Sequence, residues 1–209
     1  MQILSHRGYW KNEKEKNRPI AFERSFKYGF GTETDFRDFN GELVISHDIA
    51  DENATTAREF FEIYCKYDKS LPLALNIKAD GLQHLMKSLL VEFGIENYFV
   101  FDMSVPDAFQ YIKHEFKVFT RKSEFETIPS FLEESEGIWF DEFKSHWITN
   151  DEIVNFLSNG KKVCIVSPDL HKRDYLKAWD EYKNFKGISQ NLMICTDFPE
   201  EAKAFFNED

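Results

Sequence analysis

The sequence is poor in the residues that mark several large protein classes. It has only 3 cysteines, Cys65, Cys164 and Cys195, an odd number at wide spacing that predicts neither a disulfide framework nor a zinc site. Proline and glycine are scarce (6 and 9), whereas 42% of the residues are hydrophobic and 22 are Phe, which argues against disorder. We therefore expect one folded domain over residues 1–209 with a sizeable buried core.

Long apolar runs and an excess of positive charge are missing as well. No segment approaches the roughly 20 apolar residues that span a bilayer, and the N-terminal residues lack the apolar stretch of a signal peptide, so we expect a cytoplasmic protein without a membrane span. The formal net charge of -11 disfavours nucleic-acid binding, because that binding needs cations that replace the counterions of the phosphates. A small phosphate ligand in a local cationic pocket stays possible. The sequence does not indicate an oligomeric state.

Strand-like and helix-like patterns alternate along the whole chain. Short apolar runs predict strands over residues 1–6, 31–37, 72–78, 98–103, 116–121, 137–140, 162–167 and 192–196. Helices are predicted between them, over residues 19–29, 55–67, 82–93, 105–114, 128–134, 149–160, 173–183 and 199–206. Such alternation predicts a parallel α/β sheet with right-handed crossovers, and eight units close naturally into a compact (β/α)8 TIM barrel. The alternative, an open doubly wound sheet, needs a glycine-rich phosphate loop early in the chain, and Gly8 is followed by Tyr, Trp and Lys instead.

Polar residues cluster where the predicted strands end, which is where a barrel of this type carries its active site. The candidates are His6, Arg7, Glu33, Asp35, His47, Asn76, Lys78 and Asp102. Residues two apart on a strand point to the same side, so Glu33 and Asp35 converge, and their oxygens suit Mg²⁺ or Ca²⁺. These are the parts needed for metal-assisted cleavage of a phosphodiester.

The cationic and imidazole side chains fit the same chemistry. Arg7 can make a planar, bidentate contact to a phosphate, with Lys78 as a point charge. His6 and His47 fit paired proton transfer, in which one imidazole deprotonates the nucleophile and the other protonates the leaving alcohol. Each residue also has a structural interpretation: the histidines as ordinary strand-end residues, and Arg7 as an ion-pair partner of Glu33 or Asp35.

In this order, the residues resemble the glycerophosphodiester phosphodiesterase family, which shares a barrel and a general mechanism with phosphatidylinositol-specific phospholipase C. The resemblance rests on His6-Arg7-Gly8, Asn17 before Ala21-Phe22, Glu33-Thr34-Asp35, His47-Asp48 and Thr196-Asp197-Phe198-Pro199. It implies a divalent metal cofactor and a small phosphodiester substrate that is split into a phosphomonoester and an alcohol. It also implies that His6 and His47 are the acid–base pair, that Glu33 and Asp35 bind the metal, that Arg7 and Lys78 contact the phosphate, and that Asn17 borders the site.

Two positions depart from the family pattern. Lys16 stands where a Glu is usual, with Glu15 one place earlier, and Asn76 replaces the acid that usually supplies the third metal carboxylate. An amide oxygen can still ligate a hard cation, so we expect weaker metal binding at Asn76, or compensation by Asp102. A phosphate-binding or regulatory barrel with weakened catalysis, and a lyase that makes cyclic products, therefore remain as alternatives.

Overall fold

The structure is a computed structural model, and it describes residues 1–185 and 190–207. Its strands are β1 (Gln2–His6), β2 (Gly31–Phe39), β3 (Glu42–Ile45), β4 (Thr55–Thr56), β5 (Leu73–Ile77), β6 (Tyr98–Phe101), β7 (Phe119–Lys122), β8 (Gly137–Phe140), β9 (Lys162–Val166) and β10 (Leu192–Thr196). Its helices are α1 (Pro19–Lys27), α2 (Ala57–Tyr64), α3 (Gln83–Phe93), α4 (Val105–Lys113), α5 (Asn150–Ser158), α6 (Leu176–Tyr182) and α7 (Pro199–Asn207).

Parallel pairing joins the strands into a ring in the order β1, β2, β5, β6, β7, β8, β9, β10. The link between β6 and β7 is short: Val100 forms a parallel bridge with Val118, and its amide donates to the carbonyl of Lys117 at 2.8 Å. The strands β3 and β4 extend β2 as an antiparallel hairpin outside the ring. The predicted TIM barrel is confirmed, and it places the C-terminal ends of all eight ring strands around one mouth.

The barrel is filled by apolar side chains because its strands are buried on both faces. Inside the ring, Leu4, Phe99, Phe119 and Met193 belong to one buried cluster, in which the rings of Phe99 and Phe119 stack with centroids 3.8 Å apart. The narrow spacing leaves no room for a side chain at Gly31, where a Cβ would lie 2.6 Å from a methyl carbon of Leu4. Each buried Phe or Leu stabilises the folded state by about 1.5–3 kcal/mol, because its side chain leaves water. A tightly packed core therefore supports the residues at the mouth of the barrel.

Side-chain caps begin three of the helices. The hydroxyl oxygens of Thr56, Ser104 and Thr149 accept from backbone amides three residues further on and begin α2, α4 and α5. Each capping hydrogen bond stabilises its helix by about 0.5–2 kcal/mol. In the described residues, no helix is long and apolar enough to cross a membrane.

Three predicted elements differ from the structure. The helix predicted over residues 128–134 is wrong: the chain turns there, and the left-handed backbone of Phe131 (φ +56°) cannot continue a helix. The helix predicted from residue 173 begins only at Leu176, because Pro168–His171 form a separate 3₁₀ turn that ends at the left-handed Lys172. The strand predicted from residue 116 begins at Phe119.

Candidate active site

A pocket of about 370 Å³ opens at the C-terminal ends of the ring strands. One half of its wall consists of His6, Arg7, Glu33, His47, Asn76, Lys78 and Asp102, and the other half of Phe101, Arg121, Trp139, Asp141, Phe143, Val166, Leu170 and His171. The first half contains seven of the nine residues predicted from the sequence. Of the other two, Asp35 is fully buried and contacts Arg7 and Lys78, whereas Asn17 lines a neighbouring pocket of about 330 Å³.

The ring of His6 is oriented by Asp197, the acid that follows β10. Nδ1 lies 2.7 Å from Asp197 Oδ1, and the two side chains are only 15% and 14% exposed. The amide of Asp197 in turn donates to Asp169 Oδ2 at 2.7 Å, and burial raises the pKa of the Asp169 carboxyl. A proton on Nδ1, shared with the carboxylate, leaves the lone pair on Nε2, which lies 3.9 Å from Glu33 Oε2. In the tautomer with its proton on Nδ1, the Nε2 lone pair of His6 is therefore available for proton transfer in the pocket.

The side chain of His47 is more exposed to solvent than that of His6. It follows β3 by two residues, its side chain is 45% exposed, and its Nδ1 lies 2.9 Å from Asp48 Oδ1. Its carbonyl oxygen accepts from two guanidinium nitrogens of Arg37 at 3.1 and 3.2 Å, which fixes the backbone of the hairpin end. A half-buried and an exposed imidazole thus line one pocket, each paired with its own aspartate.

Asp35 is a buried carboxylate that two cations and an amide contact. Its Oδ2 lies 3.0 Å from Arg7 Nε and accepts from Asn17 Nδ2 at 2.8 Å, while its Oδ1 lies 3.7 Å from Lys78 Nζ. Asn17 is held at its other end by the hydroxyl of Thr34, which donates to Asn17 Oδ1 at 2.8 Å. Because both ends of its amide are engaged, Asn17 orients Asp35 from behind the pocket wall.

Glu33 has a different environment from Asp35, although the two acids share a strand. Burial raises the pKa of Glu33, the charge of Asp35 raises it further, and the nearby cations oppose the shift only in part. Its Oε2 accepts from the backbone amide of Arg7 at 3.2 Å, and its Oε1 accepts from Asn76 Nδ2 at 3.1 Å. The pKa of Glu33 is therefore raised above its ordinary value, because burial and Asp35 outweigh the nearby cations.

The side chain of Asn76 places an amide oxygen beside Glu33 and Asp35. It stands directly opposite Asp35 in the register of β2 and β5, and its amide nitrogen is engaged by Glu33. Asn76 Oδ1 and Asp35 Oδ1 are both buried, and neither has a hydrogen-bond partner in the described part of the chain. Buried oxygens are rarely left without a partner, and two of them on adjacent strands beside a Glu are donors of the kind that Mg²⁺ and Ca²⁺ bind.

The donor set fits a hard cation, but it carries little charge. Among residues 1–185 and 190–207, no group of three or more His, Cys, Asp or Glu side chains is arranged to hold a metal ion. With Asn76 in the set, only two of the three oxygen donors are carboxylates, and Arg7 and Lys78 already compensate one of them. The set Glu33, Asp35 and Asn76 therefore fits a weakly bound divalent cation.

Asp102 is committed to cations of the protein. Lys78 Nζ lies 3.0 Å from its Oδ2, and the guanidinium of Arg121 pairs with its Oδ1. Its backbone is left-handed (φ +70°), a strained conformation for a residue with a side chain. The acids Asp102 and Glu126 raise the pKa of Arg121 against the effect of burial, which alone would lower it.

Several residues that shape the site were not among the predicted site residues. Asp197 and Asp141 directly follow predicted strands, where polar residues of the site are expected, and Asp197 also belongs to the Thr-Asp-Phe-Pro motif. Asp169 lies three residues beyond β9, a position that could have marked it as well. His171 reaches the pocket from the 3₁₀ turn after β9.

No protein-family model matches the chain, and no curated protein sequence does. Solved structures match it over nearly its whole length. A protein of Galdieria sulphuraria, provisionally named a glycerophosphodiester phosphodiesterase, is 16% identical, with a TM-score of 0.77 and coverage of 99% of this chain and 98% of that one. A glycerophosphodiester phosphodiesterase of Agrobacterium tumefaciens is 15% identical, with a TM-score of 0.70 and coverage of 99% and 98%. A phosphodiesterase of Oleispira antarctica in complex with the product sn-glycerol-3-phosphate is 14% identical, with a TM-score of 0.66 and coverage of 100% and 97%.

The chain shares the fold of glycerophosphodiester phosphodiesterases. The resemblance expected from the motifs is thereby confirmed at the level of the fold, over the whole length of the barrel.

Proposed function

We propose that the chain is a metal-dependent phosphodiesterase that hydrolyses a glycerophosphodiester-like substrate to a phosphomonoester and an alcohol. One observation carries the proposal: His6 and His47 line the same pocket as Arg7 and Lys78. Two imidazoles beside two cations, in a pocket of small-molecule size, are what general acid–base cleavage of a phosphate ester needs. The whole-length fold similarity to phosphodiesterases supports the same reaction class.

In this proposal Arg7 and Lys78 hold the phosphate. Both already pair with Asp35, so they are fixed in place before a substrate arrives. Lys78 also pairs with Asp102, and that carboxylate keeps the ammonium group turned into the pocket. One imidazole removes a proton from the attacking group, and the other delivers a proton to the leaving alcohol oxygen. Asp197 keeps the His6 ring in the orientation that this transfer needs.

Glu33, Asp35 and Asn76 would hold the divalent cation. When it is bound, such a cation offsets the negative charge that develops on the phosphate oxygens. Our proposal assigns Asp102 to charge balance with Lys78 and Arg121 rather than to the metal, because cations of the protein already engage both of its oxygens.

The direct test is a screen of glycerophosphodiesters with the purified protein in Mg²⁺, in Ca²⁺ and in EDTA. The proposal expects release of a phosphomonoester that depends on one of the two cations and falls to background in EDTA. Phosphorus NMR of the product distinguishes a hydrolase from a lyase, which would release a cyclic phosphate. Absence of turnover with every diester and both cations would contradict the proposal.

The second candidate function is a phosphate-ligand binding barrel with weakened catalysis. It is favoured by Asn76, which removes one negative charge from the set that would hold the cation. In that case sn-glycerol-3-phosphate or a glycerophosphodiester binds to the pocket without being cleaved. Calorimetric binding without phosphomonoester release would support this function over the first.

A further inference from the structure

The pocket contains a third aspartate–histidine pair besides those of His6 and His47. His171 Nε2 lies 2.6 Å from Asp141 Oδ1, and the two side chains are 23% and 12% exposed. Both residues line the pocket: Asp141 directly follows β8, and His171 lies in the 3₁₀ turn after β9. Neither is used by the reaction proposed above.

The third pair faces the phosphate-binding residues across the barrel. In the ring of eight strands, β8 stands opposite β2, and β9 stands opposite β5. Asp141 therefore faces the strand of Glu33 and Asp35, and His171 faces the strand of Asn76 and Lys78. A phosphodiester has two ester arms, so a phosphate held by Arg7 and Lys78 can direct one arm across the mouth towards this pair.

The space between the two walls has an apolar floor. Phe101 and Trp139 stack there with ring centroids 3.9 Å apart, and Phe143 packs against the His171 ring at 4.9 Å. Such surfaces accept the carbon skeleton of a small alcohol and exclude water around it. Besides Arg121, which is paired with Asp102, the polar groups of this half of the wall are Asp141 and His171.

The free atoms of the pair determine what it can recognise. In the described part of the chain, His171 Nδ1 and Asp141 Oδ2 have no hydrogen-bond partner of their own. An imidazole that donates from Nε2 to a carboxylate keeps a lone pair on Nδ1, and an imidazolium carries a proton there. A hydroxyl both donates and accepts, so it can pair with Nδ1 in either state, and a second hydroxyl can donate to the carboxylate. An alkyl group or a trimethylammonium group can do neither.

We propose that Asp141 and His171 form a specificity-determining pair that binds the hydroxyls of a glycerol-like ester arm. This inference rests on the proposed phosphodiesterase function and adds to it the residues that select the substrate. Hydroxylated arms are then preferred over alkyl arms of the same length, because an alkyl arm leaves the polar atoms of the pair without partners.

The test compares two substrates that share a leaving group. Glyceryl para-nitrophenyl phosphate and propyl para-nitrophenyl phosphate differ only in two hydroxyls, and both release para-nitrophenol. The measured quantity is the ratio of their kcat/KM values. We expect the wild-type ratio to favour the glyceryl ester and the His171→Phe variant to lower that ratio about tenfold, as the loss of one good hydrogen bond predicts.

Two further variants separate recognition from structure. His171→Asn can place an amide near the position of Nδ1 and is expected to restore part of the preference that His171→Phe loses. His84→Phe is the matched control, since His84 is an exposed residue of α3, and it should keep the wild-type ratio. A ratio within twofold of wild type in both His171 variants, with His84→Phe equal to them, would overturn the proposal.

The same design separates this inference from the proposed function. If the wild-type protein cleaves neither ester, the screen of glycerophosphodiesters with both cations decides the phosphodiesterase proposal, and the two esters are compared as ligands by calorimetry. Tighter binding of the glyceryl ester that His171→Phe abolishes would still support the pair. Equal binding of both esters, or no binding of either, would overturn it as well.

Discussion

The orientation of His6 by Asp197 leads to a quantitative prediction. Replacing Asp197 by Asn keeps the size of the side chain and removes its charge. The contact to His6 Nδ1 is 2.7 Å long and mostly buried, so it has the strength of a charge-assisted hydrogen bond, about 1.5–3 kcal/mol. At about 1.4 kcal/mol per factor of ten, kcat/KM should fall roughly 10- to 100-fold.

The cause of the decrease in kcat/KM can be measured separately from the size of the decrease. The Asn side chain can offer an N–H to Nδ1 and so favour the tautomer with its proton on Nε2, the wrong nitrogen for a base that faces the pocket. We therefore expect the loss in kcat rather than in KM, together with a changed His6 tautomer in nitrogen NMR spectra. Asp180→Asn, at an exposed acid of α6, should change neither quantity.

One result for Asp197→Asn would contradict the role given to its carboxylate. If Asp197→Asn keeps its thermal stability and turns over substrate within twofold of the wild type, the ring of His6 does not need its carboxylate partner. The role given to His6 as an oriented proton-transfer group would then be wrong. A loss confined to KM would instead assign Asp197 to substrate binding.

Three further predictions follow from single contacts. Asn76→Glu should tighten Mg²⁺ or Ca²⁺ binding measured by calorimetry and raise turnover if catalysis is weakened by the missing charge; no gain, or a loss, would favour a site adapted to the amide. Gly8→Ala should destabilise the protein by about 2–4 kcal/mol in urea unfolding, because the backbone is left-handed (φ +82°) and the new Cβ would lie 2.8 Å from the Cβ of Ala21. The same change at Gly160, also left-handed but with open space around it, should be smaller, about 1 kcal/mol. His146 should make the free energy of unfolding depend on pH, because burial lowers the pKa of its imidazole but hydrogen bonds to two glutamates outweigh burial and raise it. Its contribution to stability is therefore complete below about pH 6.5 and is lost as the pH rises through the raised pKa. His146→Gln should flatten this dependence of unfolding free energy on pH.

Much of the fold could be predicted because local patterns and global topology agree. The near-continuous apolar runs of β9 and β10 are typical of strands buried on both faces, and the two predicted ranges end within one residue of the observed strands. The segment 128–134 failed for the opposite reason. Its apolar residues are too few to define a helical face, and the left-handed backbone of Phe131 ends any helix there.

The topology alone predicts that the residues of the candidate site lie together at one end of the barrel. A barrel brings the C-terminal ends of its strands together, so polar residues at those ends had to share one mouth. What could not be predicted is how the polar side chains of neighbouring strands and loops pair with one another. The ion pairs of Asp102 with Lys78 and Arg121, and the hydrogen bond from Asn17 to Asp35, could not be read from the strand pattern. Such choices depend on side-chain rotamers and on distances of a few ångströms, which strand patterns do not encode.

The most direct test of the account is the turnover of a glycerophosphodiester by the His6→Ala, His47→Ala and double variants. Paired proton transfer predicts that each single variant loses at least about 100-fold in kcat, with the fold intact by circular dichroism. It also predicts that the double variant loses much less than the product of the two single losses, because the two imidazoles act in one step. Wild-type turnover in both single variants would contradict the central claim that these two rings act on one bound phosphodiester.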